Sequence, residues 1–388
     1  MKPIISGCVV VAALIATGLV QDIGGVVNTA AAQALQKTSR EVPKFEVDPT
    51  WPKLPAKWVF GQVSSVSVDE NGHAWVLQRP NTVRADQKGR AAPPVLEFDE
   101  NGNYVQGWGG PGEGYDWPEI EHGIYVDPKG FVWLGGNGKT DNHLVKFTKA
   151  GKFVMQIGHK SASKGNTDTQ NVKEAADTFV YAKTNELFVA DGYGNNRIIV
   201  FDADTGAFKR MWGAFGKEPA SLPPPPKVAE SSRIPAKELT DDGPAQFSTV
   251  HAARVSNDGL VYVSDRAGKR VQVFTIDGKY VTQKFIDRWC EAPHCGNGQT
   301  VASTAFSHDP EQKFLYVASR SPARIWVLDR KTLELLDSFG RPGVAPGEFY
   351  VIHHMNVDSK GNLYVTEVQD GKRVQKFAFK GMQTIASK

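Results

Sequence analysis

One short pattern recurs along almost the whole chain. An apolar, strand-like run leads through an Asp-x-x-Gly turn into a second run of aromatic and β-branched residues. It is clearest in VDENGHAWV at 68–76, VDPKGFVWL at 126–134 and VDSKGNLYV at 357–365. Looser copies are centred on three further aromatic residues, Phe188, Tyr262 and Tyr316. Such self-similarity indicates that the chain is assembled from copies of one supersecondary unit.

A third apolar run closes each copy and fixes the number of copies at six. These closing runs are LEF at 96–98, VKF at 145–147, IVF at 199–201, VQVF at 271–274, IWVL at 325–328 and VQKF at 374–377. Several copies continue into a fourth run that ends on glycine. Six units of four antiparallel strands predict an all-β protein, a six-bladed β-propeller with a central channel.

The repeats also set the expected boundaries. We place the propeller at residues 60–380 and an N-terminal extension at 35–59, with a C-terminal tail at 381–388. The pattern is interrupted at about 159–172 and 217–246, and we interpret both stretches as surface insertions between blades.

Histidine occurs at one place in every second copy. Eleven residues before each second-strand aromatic residue, where the innermost strand begins, stand Ser64, His122, Asp177, His251, Ala305 and His353. Alternate blades of a six-bladed ring are about 120° apart. The three histidines are therefore expected to converge on the axis and hold one metal ion with an open coordination position, as in catalytic zinc sites. Copper, iron or nickel would accept the same ligands.

Two further side chains are expected at the same mouth of the channel. The second strand of each blade returns to the face where the innermost strand begins. Arg79 lies four residues past Trp75, and Tyr193 lies five residues past Phe188. A guanidinium suited to a carboxylate and a phenol able to move a proton, next to a metal ion, would form a reaction centre.

The charged pair Asp191 and Arg197, echoed at Asp265 and Arg270, resembles the NHL repeat. We interpret these charges as structural, holding a turn within the blade.

The propeller is similar to the peptidyl-α-hydroxyglycine α-amidating lyase (peptidylamidoglycolate lyase) family over roughly residues 60–378. The similarity is densest at DGYGNNRI, residues 191–198, and the segments around the three histidines resemble the metal-binding segments of that family.

This resemblance implies an activity and roles for five residues. In the family, histidines at the places of His122, His251 and His353 hold zinc, and residues at the places of Tyr193 and Arg79 serve catalysis. The implied reaction cleaves the carbinolamide N–C bond of a peptide that ends in α-hydroxyglycine, and it releases a peptide amide and glyoxylate.

The sequence departs from the family at two places. The family also binds a calcium ion in the channel through an aspartate after the last histidine, and His354 stands at that place here. Gly194 stands where family members have a cysteine. The resemblance therefore implies zinc more strongly than calcium, and it implies that the disulfide of that cysteine is absent.

Two other functions fit parts of the pattern. A non-catalytic NHL propeller would bind a protein or a carbohydrate through its loops. A six-bladed, lactonase-like hydrolase would line its channel with carboxylates around calcium, and only Asp177 offers one among the six aligned positions.

The first 34 residues are typical of a signal peptide. Lys2 precedes an apolar run, residues 4–20, and small residues follow at 29–34. An uncleaved membrane anchor is the alternative. Export predicts a secreted or periplasmic protein, and an oxidising compartment favours a disulfide between Cys290 and Cys295.

The balance of charge limits the partners. The formal net charge is +3, and the basic residues are scattered along the chain rather than clustered. This distribution argues against nucleic-acid binding. We expect a monomer that does not associate with a membrane after removal of the signal and that acts on a small molecule or on a peptide terminus.

Overall fold

The computed structural model describes residues 39–219, 242–290 and 295–386. Within them the chain forms six four-stranded antiparallel sheets, so the prediction of an all-β, six-bladed propeller is confirmed. One compact unit comprises Val42–Gln383, and the remaining unit, residues 1–41 and 384–388, is described only at 39–41 and 384–386. The predicted signal peptide lies outside the described residues.

The four strands of each blade follow one another from the channel outwards. The innermost strands are β2 (Gln62–Val68), β6 (Glu121–Val126), β10 (Asp177–Tyr181), β14 (Val250–Val255), β18 (Val301–Phe306) and β22 (Ile352–Val357). The second strands are β3 (Ala74–Arg79), β7 (Phe131–Gly136), β11 (Glu186–Asp191), β15 (Leu260–Asp265), β19 (Phe314–Ser319) and β23 (Leu363–Glu367). The third strands are β4 (Val95–Phe98), β8 (His143–Thr148), β12 (Arg197–Asp202), β16 (Arg270–Thr275), β20 (Arg324–Asp329) and β24 (Arg373–Ala386).

The outer strands are β5 (Tyr104–Trp108), β9 (Phe153–Gly158), β13 (Phe208–Trp212), β17 (Tyr280–Phe285), β21 (Leu335–Phe339) and β1 (Ser39–Asp48). Short 3-10 helices cover Pro80–Thr82, Ala85–Arg90 and Ala214–Gly216.

The Asp-x-x-Gly turns join the first two strands of a blade. In blade one, Oδ1 of Asp69 accepts hydrogen bonds from the backbone amides of Asn71 and His73, and Gly72 has a positive φ of 78°. The other oxygen, Oδ2, accepts from Nε1 of Trp75, which is fully buried. The same arrangement is built around two other turn aspartates, Asp127 and Asp358. The repeated aspartate thus ties each turn to the aromatic residue of the next strand.

Apolar side chains of neighbouring blades pack against one another and form the core. The repeated aromatic residues are all nearly or fully buried there: Trp75, Trp133, Phe188, Tyr262, Tyr316 and Tyr364. Because each blade packs on two others around a closed ring, every sheet face is covered without a separate layer of helices.

The N-terminal strand completes the last blade. Residues 39–48, which lie within the expected N-terminal extension, form β1 and pair with β24. Phe45 packs on Tyr316 and Phe339 at ring-centroid distances of 5.5 and 5.1 Å. The first and last parts of the propeller are therefore held in one sheet.

Candidate metal centre and active site

Each of the three predicted histidines is the second residue of an innermost strand and lies at a β-bulge. In blade two, Glu121 pairs with Gly136 and Gly123 with Gly135, so His122 has no partner of its own in the ladder. The pairing shifts in the same way at His251 and His353. A bulge turns the extra residue out of the regular alternation of side chains. The bulges therefore allow all three imidazoles to project into the channel.

The structure changes the alignment for the blades without histidine. Phe188 pairs with Phe179 in blade three, and Tyr316 pairs with Ala305 in blade five. The equivalents of the histidines, three residues earlier, are therefore Ala176 and Ala302. The sequence alignment gave Asp177 and Ala305, which is wrong because the turn between the first two strands is longer in these blades. Ser64 is aligned correctly.

Nδ1 of each histidine is hydrogen-bonded to the backbone of the next blade, at the position equivalent to the histidine itself. Nδ1 of His122 lies 2.7 Å from the carbonyl oxygen of Ala176, and Nδ1 of His251 lies 2.6 Å from that of Ala302. Nδ1 of His353 lies 2.5 Å from the carbonyl oxygen of Ser64. A carbonyl oxygen only accepts, so each Nδ1 carries the proton and donates it. Each Nε2 therefore presents a lone pair, the form of histidine that binds a metal ion.

The three side chains are close enough to share one ion. One ligand atom from each lies within 4.8 Å of the other two, and the ring centroids are 4.6 to 5.0 Å apart. Three imidazole nitrogens this close together are able to share one zinc ion. All three are buried, and burial is the main reason why their pKa values are well below 6.5. The residues fit a metal ion that prefers imidazole.

Tyr193 lies against this group. Its hydroxyl oxygen is 3.0 Å from Nε2 of His122 and 3.2 Å from Nε2 of His251. Nη1 of Arg266 donates to the same oxygen at 2.7 Å, and the Arg266 guanidinium lies 4.9 Å from the centre of the Tyr193 ring. The phenol thus lies between the histidines and a positive charge, where it can exchange a proton with a bound substrate.

Sequence reasoning missed Arg266, although a signal was present. Arg266 lies four residues past Tyr262, the same offset that led from Trp75 to Arg79. The rule that second strands return to the histidine face therefore applied equally to blade four.

Arg79 ends β3 at the same mouth of the channel. Its Nε donates to the carbonyl oxygen of Glu121 at 2.7 Å, and its Nη1 donates to Oε1 of Gln62 at 3.0 Å. Burial lowers the pKa of Arg79, and the charge of Arg79 helps to lower the pKa values of His122 and His353. The structure therefore brings all five predicted site residues together and adds Arg266 on the opposite side.

Buried arginines hold the segment that carries Tyr193. Nε of Arg197 donates to Oδ2 of Asp191 at 2.8 Å, which closes the turn as predicted. The rest of the Arg197 guanidinium donates to backbone carbonyl oxygens of the preceding insertion, those of Asn166, Asp168 and Asn171. Arg270 binds Asp265 and carbonyl oxygens before blade four in the same way. The first insertion and the described end of the second, residues 242–246, are thus fastened on the face where the innermost strands begin, the face that carries the histidines.

His354 lies one residue further along the channel than His353, and its side chain stays beside the three histidines. Its ring centroid is 4.8 Å from that of His251 and 4.9 Å from that of His353. Its Nε2 donates to the carbonyl oxygen of His251 at 3.2 Å, and its buried Nδ1 has no partner within the described residues.

The residues in this layer do not fit the calcium ion that the resemblance implies. Calcium prefers oxygen ligands, and a neutral imidazole, that of His354, occupies this position. The carboxylate of the same layer, Asp177, is already paired with Arg254.

A disulfide joins Cys290 and Cys295 on the histidine face, in the connection between β17 and β18, as predicted. Nζ of Lys269 donates to the carbonyl oxygen of Cys290 at 2.6 Å. Among the residues described, no helix is long and apolar enough to cross a membrane.

Comparisons with known proteins find relatives of two kinds. It is 26% identical over 357 residues to NHL repeat-containing protein 3 of Mus musculus, a match that covers 87% of this chain and 85% of that protein. It is 26% identical over 233 residues to a probable peptidyl-alpha-hydroxyglycine alpha-amidating lyase of Caenorhabditis elegans, with 57% of each chain covered. The peptidylglycine alpha-amidating monooxygenase of Rattus norvegicus is 26% identical over 329 residues, 79% of this chain and 29% of that protein. No protein-family model matches. The predicted resemblance is confirmed.

Proposed function

We propose that this chain, a homologue of NHL-repeat propellers and of amidating lyases, is a metal-dependent carbon–nitrogen lyase. Its substrate would be a carbinolamide of the peptidyl-α-hydroxyglycine type, and its products would be an amide and glyoxylate. The observation that carries the proposal is the convergence of three unprotonated Nε2 atoms beside the Tyr193 hydroxyl. Zinc is the ion that we propose for this set of ligands.

His122, His251 and His353 would hold the ion, which when bound would make the substrate hydroxyl more acidic. Tyr193, in its phenolate form, would accept the proton of that hydroxyl. As the carbon–oxygen double bond forms, the carbon–nitrogen bond breaks and its electron pair goes to the amide nitrogen. That nitrogen needs one proton, and Tyr193 would return the one that it took. Atoms and charge then balance without another reactant.

Two arginines would stabilise negative charge during this reaction, one on Tyr193 and one on the substrate carboxylate. Arg266 donates to the Tyr193 oxygen and would stabilise the negative charge of its phenolate form, before it takes the proton and after it returns it. Arg79 lies beside His122 and His353, where its guanidinium would bind the substrate carboxylate. The carboxylate becomes that of glyoxylate, so Arg79 would hold one end of the substrate throughout the reaction.

A second candidate is a non-catalytic NHL propeller that binds a protein or a carbohydrate. The observation in its favour is that the match to NHL repeat-containing protein 3 spans more of the chain than the match to the probable lyase. A scaffold does not require three histidines with one shared tautomer, which is why we favour the lyase. The lactonase-like alternative is weaker, because Asp177 lies outside the histidine layer and is paired with Arg254.

We also propose that the protein acts outside the cytoplasm, in the secretory route or the periplasm. The disulfide between Cys290 and Cys295 supports this location, because such bonds persist in oxidising compartments.

Glyoxylate release from a peptide that ends in α-hydroxyglycine tests the proposal. The protein is assayed as purified, after treatment with a chelator, and after restoration with zinc. Activity that is lost and then regained supports a metal-dependent lyase. Absence of glyoxylate from fully zinc-loaded protein would leave the scaffold as the better interpretation.

A further inference from the structure

A second cavity lies at the opposite mouth of the channel from the histidines. Its volume is about 390 Å³, within the range of about 300–1,000 Å³ that small-molecule sites occupy. The innermost strands end here, and every blade contributes to the wall. One lining residue from each blade, in chain order, is Val68, Tyr125, Phe179, Arg254, Phe306 and Asn356.

The cavity is separated from the candidate metal centre. The channel layer between them contains His354 and Asp177, each of which follows the histidine level by one residue in its own strand. His354 is fully buried and bonded to the carbonyl oxygen of His251. A ligand in this cavity would therefore not contact Tyr193 or the three predicted metal ligands.

Arg254 is the polar group at the inner end of this cavity. Its side chain is 7% exposed. The side chain donates two hydrogen bonds, both from Nη1, one to Oδ2 of Asp177 and one to the carbonyl oxygen of Ala253. Among the residues described, Nε and Nη2 of Arg254 have no protein acceptor. These two groups form one edge of the guanidinium, the parallel pair of donors that matches the two oxygens of a carboxylate.

The walls near Arg254 are aromatic. The guanidinium lies 5.8 Å from the centre of the Phe179 ring, and the rings of Phe179 and Tyr125 are 5.1 Å apart. Asp358, the acidic residue in the wall of the cavity, has both carboxylate oxygens engaged by its own turn and by Tyr364. Asp177 balances the buried charge of Arg254 from the channel side, and its carboxylate does not occupy the free edge.

We propose that this cavity binds a carboxylate attached to an aromatic or branched apolar group. The carboxylate would accept two hydrogen bonds from Nε and Nη2 of Arg254, and the apolar group would lie against Phe179, Tyr125 and Phe306. Such a group is found both in free amphiphilic acids and at the C-terminus of a peptide. The proposal does not depend on the lyase activity, because it uses the other end of the channel.

Binding of N-acetylphenylalanine and of N-acetylphenylalanine amide, measured by calorimetry on the full-length chelated protein, tests this site. The two probes have nearly the same size, and only the first has a carboxylate. We expect the acid to bind at least about tenfold more tightly than the amide. A peptide with a free C-terminal phenylalanine that binds as tightly as the short acid would identify a chain terminus as the source. Exclusion of that peptide would identify a free small acid.

Variants locate the binding. Arg254→Lys keeps the charge and removes the paired donors, and Ala305→Phe fills the cavity while leaving the Arg254–Asp177 pair intact. Each substitution is expected to weaken the binding of N-acetylphenylalanine by about tenfold or more. Arg210→Lys is the matched control, because Arg210 is paired with a carboxylate, Glu186, in the neighbouring blade three and does not line the cavity. Arg79→Met tests the histidine face.

Unchanged binding in Arg210→Lys and Arg79→Met, together with loss in the two cavity variants, would support the site. Equal affinity for acid and amide would overturn it, as would full affinity in Ala305→Phe. If Arg254→Lys does not fold, Ala305→Phe decides. Loss of binding only in Arg79→Met would assign the acid to the histidine face and also refute the proposal.

Discussion

The Nδ1 of His122 donates at 2.7 Å to the carbonyl oxygen of Ala176, which occupies the histidine's own position in the following blade. His251 and His353 repeat this relationship with Ala302 and Ser64. Ligand-bearing and acceptor-bearing blades therefore alternate around the ring. Because the number of blades is even, this alternation is unbroken around the ring. The backbone carbonyl oxygens give all three imidazoles the same tautomer without any additional side chain.

Replacing His251 by alanine should remove the metal and leave the propeller folded. The ion contacts only side chains at the axis, whereas ring closure and packing between the blades hold the fold. Metal content by mass spectrometry and far-ultraviolet circular dichroism measure the two properties. His159→Ala is the control, because that histidine is exposed outside the channel. Full metal content in His251→Ala would contradict the assignment.

Replacing Tyr193 by phenylalanine should preserve metal binding and reduce turnover by about 100- to 10,000-fold, the usual contribution of a positioned proton-transfer group. The ring remains between Arg266 and the histidines, and only the hydroxyl is lost. Glyoxylate release and metal content are measured on the same preparation. Wild-type turnover in this variant would exclude Tyr193 as the base.

Arg266 should matter for turnover and not for metal content. Arg266→Met removes the donor to the Tyr193 oxygen, and we expect turnover to fall by about 100-fold. Arg266→Lys retains a charge and should recover part of the loss. A fall in metal content that parallels the fall in activity would show instead that Arg266 supports the fold of the site.

The metal-free protein should become less stable as the pH falls below 6.5. Burial keeps the pKa values of His122, His251, His353 and His354 below 6.5 in the folded state. The unfolded chain takes up these protons near pH 6.5, so it binds more protons than the folded chain at lower pH. The free energy of unfolding should then fall by up to about 1.4 kcal/mol per pH unit for each histidine.

Urea unfolding of chelated protein between pH 7.5 and about 5.5 measures this slope. His354→Gln should reduce the slope by the share of one histidine. A slope that is identical in the variant and the wild type would show that His354 is protonated equally in both states.

Arg197 should contribute more to stability than a comparable arginine outside the insertion contacts. Arg197→Met leaves the buried Asp191 carboxylate without its charged partner and three carbonyl oxygens without a donor. We expect a loss of about 3–5 kcal/mol. Arg210 is partly exposed, and the Glu186 carboxylate keeps Lys209 as a second partner, so Arg210→Met should cost about 1 kcal/mol. Equal losses in chemical denaturation would contradict this role.

The sequence was sufficient to predict the ring and the grouping of five side chains at one mouth of its channel, because both depend on local spacing that repeats. Turn aspartates such as Asp69 and closing runs such as 374–377 mark strand ends in any copy, and the histidines share one offset. The alignment failed in blades three and five, where longer turns shift Asp177 and Ala305 out of register. The alignment counted a fixed number of residues back from the aromatic residue, through the turn, so any residue added to the turn displaced the aligned position.

Other features depend on contacts between distant segments. The acceptors for the histidines are backbone carbonyl oxygens, which carry no residue signature. His354 stays in the channel beside His353 because the bulge at this place breaks the regular alternation of side chains along the strand. Similarly, the pairing of β1 with β24 joins segments from the two ends of the propeller, and no repeat marks β1.

That pairing has a consequence for biosynthesis. β1 is synthesised before the other described strands of the propeller, and β24, the strand with which it pairs, is synthesised after them. Until β24 has been synthesised, β1 has no strand with which to pair. The incomplete ring then has two unprotected edges, which are sites of aggregation. We therefore expect C-terminally truncated chains to be recovered as insoluble or chaperone-bound material, even when they contain every residue of the three-histidine group.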